Sequence, residues 1–401
     1  MLNFNLDQFT KDKITIRQES YFLQDIKSNR SELFEKVKGK SILIIGGAGT
    51  IGSSFIKAIL PFEPKSVVVV DYSENGLTEL TRDLRSQNIF MPEEFITYPF
   101  DFGGSVFEKM YKSRKFDIVA CFAAHKHVRS EKDHLAIEAM VNNNVFNTQK
   151  LIDLALKNKP SHFFSVSTDK ASNPVNVMGA SKKLMEKVLL SYSDQIKITT
   201  ARFANVAFSN GSLLAGFIER IMKRQPLSSP SDVRRYFVSR EESGQLCMLA
   251  CLLGGSGDIF FPKLGKEQML TFSYIAKLFL EELGLEADIC SSEDEAKDKA
   301  SRWNPNIKKY PIYLFSSSTS GEKQYEEFYT EGDKIDMDSF SALGVIKNAE
   351  RLSNEQVQNI VSQFKKLFST EIVKSDVVKF ISQHLSDFNH IETGKSLDQK
   401  M

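Results

Sequence analysis

Between residues 41 and 60 a β-branched run, a glycine-rich turn and a helix follow one another without a break, and no other stretch constrains the fold as much. Ser41-Ile42-Leu43-Ile44-Ile45 passes straight into Gly46-Gly47-Ala48-Gly49-Thr50-Ile51-Gly52, after which SSFIKAIL (53–60) has helical periodicity. Glycines at 46, 49 and 52 supply positive φ where the turn needs it, let the backbone approach a pyrophosphate, and allow close contact between helix and sheet. The helix amino terminus then offers free N–H groups and a partial positive charge to an anion. By itself such a pattern is equally a tight turn. What strengthens it is Asp71, which ends the next β run (SVVVVD, 66–71) roughly 20 residues beyond Gly52, where a carboxylate accepts hydrogen bonds from adenosine ribose hydroxyls. That carboxylate would repel a 2′-phosphate, and Tyr72, Ser73 and Glu74 include no arginine to receive one, so NAD is favoured over NADP. Asp101, after the third run, is placed to receive the adenine amino group or is a plain loop aspartate.

The alternation continues along the chain. FITYPFD (95–101), FDIVACF (116–122), HFFSVS (162–167) and IKITTARF (196–203) read as strands, with helix-length segments NGLTELTRDLRS (75–86) and HLAIEAMVNNNVFNTQKLIDLAL (134–156) between them. This is the pattern of an α/β fold, a Rossmann-type doubly wound parallel sheet with helices on both faces. Residues 1–39 carry Tyr21, Phe22, Ile26, Leu33, Phe34 and Val37 near helical spacing and read as a helical arm packed on the sheet. Residues 40–206 then form the dinucleotide-binding domain, and 207–345 a smaller α/β substrate domain sharing elements with the sheet. Residues 346–401 form a helical extension containing NEQVQNIVSQFKKLF and VVKFISQHL. SSEDEAKDKA (291–300) reads as a charged, solvated loop.

Lysine plus arginine is 52 against 51 for aspartate plus glutamate, a net charge of +1, so no global field draws the chain to nucleic acid or an anionic membrane. An anionic ligand must be held by a local group of residues. Cys121, Cys247, Cys251 and Cys290 lack both a disulfide framework and zinc-ligand spacing, and read as buried thiols of a reducing compartment. No run of about 18 apolar residues occurs and MLNFNLDQFTKDK lacks a signal-peptide core, so a soluble, cytoplasmic protein without a membrane span is expected.

The fifth strand leads into Ser167-Thr168-Asp169-Lys170-Ala171-Ser172-Asn173-Pro174-Val175-Asn176-Val177-Met178-Gly179-Ala180-Ser181-Lys182. Polar side chains at the carboxyl end of a parallel strand point into the ligand crevice. Together with GGAGTIG (46–52), AAHKHV (123–128), RFANV (202–206), RRYF (234–237) and SGEKQYEE (320–327), this segment resembles the extended short-chain dehydrogenase/reductases. Within them it is similar to the CapD-like UDP-N-acetylglucosamine 4,6-dehydratases, over roughly residues 40–335. The arm and the ending FNHIETGKSLDQKM resemble a soluble subgroup associated with legionaminic-acid-type sugars.

The resemblance implies that NAD takes a hydride from carbon 4 of a hexose, that water leaves across carbons 5 and 6, and that the hydride returns to carbon 6. Lys170 would be the carbon 5 base if burial lowers its pKa, and Asp169 the acid for the departing hydroxyl if the same crevice raises its own. Neighbours on an extended strand face opposite ways, so both reach one sugar only where the strand ends, as Asn173-Pro174 favours. Thr168 would bind the 4-hydroxyl. Most relatives carry tyrosine four residues before Lys182, whereas this chain has Met178, whose thioether cannot take the hydroxyl proton. General acid–base help is worth roughly 100- to 10,000-fold. Members of the same branch with methionine here keep the Thr-Asp-Lys segment, so Asp169, directly or through water, is expected to accept that proton. Lys182 keeps its contact with the nicotinamide ribose.

The resemblance assigns Gly46, Gly49, Thr50, Ile51, Gly52, Asp71, Asp101 and Ala123 to the cofactor, and Lys126, His127, Asn205, Arg235, Glu322 and Lys323 to the nucleotide-sugar substrate. His125 and His127 have no further cluster to complete a metal site. In related enzymes the helix at 134–156 packs against a second subunit, so a homodimer or larger homo-oligomer is expected. The expected activity is 4,6-dehydration of UDP-N-acetylglucosamine for surface polysaccharide or nonulosonic acid glycans, with the methionine resembling the configuration-retaining branch. Three alternatives stand beside it: a GDP-linked substrate, a nucleotide-sugar 4-epimerase, and a non-catalytic NAD-binding sensor. Lys170 argues against the epimerase, which needs no base at carbon 5, and the Asp169–Lys170 pair argues against the sensor.

Overall fold

A computed structural model describes residues 4–317, 320–347 and 349–394, so residues 395–401 of the ending FNHIETGKSLDQKM lie outside it. The runs read from sequence form strands β1 (Ser41–Ile45), β2 (Ser66–Asp71), β3 (Glu94–Pro99), β4 (Ile118–Cys121), β5 (His162–Val166) and β6 (Ile198–Ala201). They are parallel, in the order β3-β2-β1-β4-β5-β6. The sheet continues through Ile259–Pro262, parallel to β6, and two antiparallel strands, Leu343–Ile346 and Ile335–Asp336, to make nine. The order reverses between β1 and β4, which opens a crevice at the carboxyl ends of these strands.

Strands buried on both faces read as continuous apolar runs, and Ile42–Ile44 and Val67–Val70 are wholly inaccessible. One core lies beneath the helices Thr50–Ile59 and Arg240–Leu253, the other beneath His134–Val141, Asn147–Lys157 and Val177–Ser191. A third, built on Phe208, Phe217, Phe279 and Tyr310, covers a small parallel sheet of Glu286–Cys290, Lys309–Phe315 and Leu227–Pro230. The arm packs as its spacing predicts, with Phe22, Leu33 and Val37 in the first core. Arg17 donates two 2.8 Å bonds to Glu242, and buried Asp25 accepts from the amides of Ser341 and Ala342. All four cysteines are free and buried.

One expectation is corrected. Residues 291–300 are not a loop: Glu293–Arg302 is a helix capped by the Ser292 side chain, with Ala296 and Ala300 buried. Its i,i+4 pairs, Glu293–Lys297 and Glu295–Lys299, flank the strip of buried alanines on either side, so high charge hid a helical period. One side of residues 134–156 packs against the chain's own extension, while Leu135 on the same helix is exposed. The helices Asn354–Phe368 and Lys374–His384 place Val357, Val361, Phe364, Val377 and Ile381 in the same core as Ile137, Val141 and Val145. Phe146 meets Phe364 at 6.3 Å between ring centroids, so the extension covers part of this surface.

Candidate active site

The glycine turn is fixed by sterics at Gly46, Gly47 and Gly52, three of its four glycines. Gly46 has φ +77°, and a Cβ there would lie 2.5 Å from the Ala123 amide nitrogen, where β1 and β4 part. A Cβ on Gly52 would lie 2.3 Å from the Gly46 carbonyl oxygen, so only glycine lets the helix start this close to the turn. Positive φ occurs at Gly46 alone; Gly49 is extended (φ −71°, ψ 162°), because the helix begins directly after it and needs an extended N-cap. Thr50 opens the helix and its hydroxyl accepts from the Asn210 amide at 2.9 Å, while Ile51 packs against the first core. Asp71 accepts from the Ala48 and Ser73 amides, both at 3.0 Å, which ties the end of β2 to the turn. Asp101 is exposed and its Oδ1 closes a turn on the Gly103 amide at 2.8 Å.

The loop after β4 is held by a residue that sequence reading passed over. Asn144 lies in a π-helical segment, Asn142–Phe146, whose wider turn aims it at the loop. Its Oδ1 accepts from the His125 amide (2.9 Å), and its Nδ2 donates to the His125 carbonyl and the Ser181 hydroxyl (both 3.0 Å). Lys126 Nζ donates to the Asn210 carbonyl (3.0 Å), and His127 is exposed, its ring beside Gly211. Among the described residues no group of three His, Cys, Asp or Glu side chains converges as a metal site.

β5 ends at Val166, and Asp169–Ala171 is a 3-10 turn capped by Thr168. Because the strand has ended, the neighbouring side chains of Asp169 and Lys170 turn to the same side. Asp169 Oδ1 accepts from the Thr168 hydroxyl (2.9 Å), the Lys170 amide (2.9 Å) and Lys170 Nζ (3.0 Å). A third group completes the cluster. Glu326, 4% exposed, has Oε1 3.8 Å from Lys170 Nζ and 3.6 Å from the Arg235 guanidinium. In the sequence it shows only as the second acidic position of SGEKQYEE.

Lys170 corrects the expectation of a lowered pKa. Burial does pull its ammonium down, but Asp169 and then Glu326 outweigh burial and the opposing Arg235 charge, and leave it above the ordinary lysine value. Burial pushes the Glu326 carboxyl up, Asp169 adds to the rise, and Lys170 and Arg235 act against it. The lysine whose pKa does fall is Lys182, brought down to about 8 by burial; its Nζ donates to the Val166 carbonyl at 2.7 Å. Met178 is buried one turn earlier on the same helix.

Arg235 is also buried, and its NH1 donates to the carbonyls of Arg234, Lys323 and Gln324 (2.9–3.2 Å) while NH2 reaches Glu322 at 3.4 Å. The Arg235 fork is thus directed at the 322–326 segment. Asn205 sits in a two-residue strand beside Phe237–Val238, its amide bonded to the Tyr236 carbonyl at 3.0 Å. Below the cluster Glu186 accepts two bonds from Arg202 (3.0 and 2.8 Å) and one from Ser167 (2.6 Å), and Arg202 donates to the Phe328 carbonyl (2.8 Å). This buried pair anchors the ends of β5 and β6 to the chain just beyond Glu326. A cavity of about 860 Å³ lies away from the cluster, beside the helices Thr50–Ile59 and Glu74–Arg85, and holds the ion pairs Lys57–Asp83 and Lys11–Glu241 in its wall.

Residues 42–348 match the family described as polysaccharide biosynthesis protein. An uncharacterised membrane protein of Methanocaldococcus jannaschii is 31% identical over 345 residues, 82% of this chain and 97% of that protein. Among the described residues here, no helix is long and apolar enough to cross a membrane. The inverting UDP-N-acetylglucosamine 4,6-dehydratase of Campylobacter jejuni is 29% identical over 56% of this chain and 67% of its own length. A UDP-glucose 4-epimerase of Rickettsia canadensis is 27% identical over 80% of this chain and 95% of its own. The chain spans only 48% of the capsular polysaccharide biosynthesis protein CapD of Staphylococcus aureus, at 28% identity over 73% of this chain. Of solved structures, Pen from Bacillus thuringiensis aligns with TM-score 0.63 at 23% identity, over 81% of this chain and 98% of that one. The dTDP-glucose 4,6-dehydratase DesIV of Streptomyces venezuelae, with NAD bound, aligns with TM-score 0.54 at 18% identity, over 72% and 88%. The chain belongs to the polysaccharide biosynthesis protein family, among the extended short-chain dehydrogenase/reductases that are dehydratases and epimerases of nucleotide sugars.

Proposed function

We propose that the protein is an NAD-dependent 4,6-dehydratase of a nucleotide-linked N-acetylhexosamine, with UDP-N-acetylglucosamine as substrate and a 4-keto-6-deoxy sugar nucleotide as product. The observation that carries this reading is Lys170 set between two carboxylates at the carboxyl end of β5. A 4-epimerase moves a hydride at carbon 4 and needs no base at carbon 5, whereas dehydration needs both a base there and an acid for the departing hydroxyl.

The residues around the glycine turn fit an adenine dinucleotide: glycine at 46 and 52 would keep side chains out of the pyrophosphate path, and Asp71 would take the ribose hydroxyls. When bound, NAD would supply the oxidation at carbon 4 that makes the carbon 5 proton acidic. Lys182 would hold the nicotinamide ribose and Thr168 the sugar 4-hydroxyl. Arg235, with Lys126, His127, Asn205, Glu322 and Lys323, would hold the diphosphate and nucleotide.

Proton traffic falls to three side chains. Lys170, held as an ammonium in the resting protein, must lose a proton before it can take the one on carbon 5, and Glu326 is the neighbouring carboxyl whose pKa burial has raised to receive it. Asp169 would take the 4-hydroxyl proton in place of the missing tyrosine and return it to the hydroxyl leaving carbon 6. The test is to incubate the purified protein separately with UDP- and GDP-N-acetylglucosamine and follow mass. Loss of one water from the UDP sugar is expected; a product of unchanged mass epimerised at carbon 4 would overturn the reading.

A further inference from the structure

The family match ends at residue 348, yet the chain beyond it reaches back to the active-site loop. Residues 387–393 run along the segment that joins the Lys170 turn to the helix bearing Met178 and Lys182. The Asn389 amide donates to the Pro174 carbonyl (3.1 Å) and the Ile391 amide to the Val175 carbonyl (3.0 Å). Lys183, on that helix, pairs with Asp387.

The same strip holds the segment that follows Ser320. The Gly321 amide donates to the Ile391 carbonyl (2.9 Å), and the Ser320 hydroxyl to Glu392 (2.6 Å). Gly321 in turn accepts from the Asn176 side chain at 2.7 Å, and Asn176 Oδ1 caps the helix by accepting from the Gly179 amide at 2.7 Å. Gly321 has φ +73°, and a Cβ there would lie 2.5 Å from that of Asn176, so the two segments meet backbone to side chain with no space between. The next residue is Glu322, which pairs with Arg235.

A second anchor lies at the start of the helix. Buried Glu131 accepts from the Val177 amide (2.6 Å), and its other oxygen faces Lys374 Nζ at 3.8 Å and His390 Nε2 at 3.5 Å. Lys374 and His390 both belong to the extension.

We infer that residues 387–393 are positioning residues of the active site: a strap that fixes, at one junction, the loop after Lys170 and the segment carrying Glu322, Lys323 and Glu326. The structural grip stands on the hydrogen bonds alone, while its effect on turnover rests on the dehydratase reading. A loop held by several backbone hydrogen bonds opens less often to solvent than the same loop with them removed.

The experiment compares the full chain with chains ending at Phe388 and at Gly394, followed by amide hydrogen exchange. Phe388 is kept because it is buried in the second core. In the chain ending at Phe388, exchange across 173–178 and 320–327 should rise about tenfold or more with the sheet unchanged, and turnover should fall at least about tenfold with bound dinucleotide retained. The chain ending at Gly394 should match the full chain. In the full chain, Ile391→Pro, which deletes one strap N–H, should give the same change on a smaller scale and Ile391→Ala none. Unchanged exchange in both the Phe388 chain and Ile391→Pro would overturn the strap. Faster exchange in a protein that dehydrates no nucleotide sugar even at full length would keep the strap and remove the dehydratase reading.

Discussion

Arg235 and Lys170 face the same oxygen of Glu326, at 3.6 and 3.8 Å, so one buried carboxylate sits between the residue assigned to the substrate diphosphate and the residue assigned to the carbon 5 proton. An anion arriving at Arg235 would compete with Glu326 for the guanidinium. In the proposed dehydratase, substrate binding and the protonation of Lys170 would be coupled through that oxygen.

Glu326→Gln removes one of the two carboxylates that hold Lys170 above the ordinary lysine value. Turnover should fall because the acceptor of the Lys170 proton is gone; the acid limb of the residual kcat profile should move to lower pH, since a less stabilised ammonium gives up its proton sooner, and KM should change as Arg235 loses a partner. A limb that stays in place or moves to higher pH would show that Lys170 does not supply the base. Lys170→Ala should lower dehydration by roughly 100- to 10,000-fold with dinucleotide still bound, as read by product mass and by the cofactor released on denaturation.

Gly52→Ala puts a methyl group 2.3 Å from the Gly46 carbonyl oxygen, whereas at Gly49 the nearest atom would be 3.4 Å away. The first variant should lose about 1–3 kcal/mol of stability and most of its dinucleotide, the second far less. Thermal melting and the nucleotide recovered from each purified protein report the two effects.

Arg202 and Glu186 are both almost completely buried. Replacing Arg202 by leucine strands the Glu186 charge and should cost about 3–5 kcal/mol, whereas replacing both by apolar residues should cost less. Denaturant unfolding of the single and double variants measures the difference.

His162, buried in β5 with its Nε2 2.9 Å from the Thr199 hydroxyl, has its pKa pushed down to about 3, first by burial. The unfolded chain binds a proton there below about 6.5, but the folded chain does not until about 3. Folding thus becomes less favourable as pH falls through that window, by up to about 1.4 kcal/mol per pH unit from this group. His162→Gln should flatten the dependence of stability on pH between 6 and about 4, measured by urea unfolding at several pH values.

Periodicity and turn chemistry act over a few residues, so the six leading strands, the glycine turn, Asp71 and the arm with its apolar face were legible from the chain itself. The residues of the Thr-Asp-Lys segment were equally plain, because they adjoin one another. The charged helix at 293–302 was not, since its period is carried by two buried alanines among polar neighbours. Only the folded molecule decided the direction in which the Lys170 pKa moves: its nearest carboxylate is a sequence neighbour, but Glu326 and Arg235 come from distant segments, and Coulomb interaction depends on distance in space, not along the chain. The same holds for the C-terminal helices, whose apolar faces the sequence displayed without saying what they cover. Local sequence set which elements form, while burial and long-range contact settled which groups meet and what charge each carries.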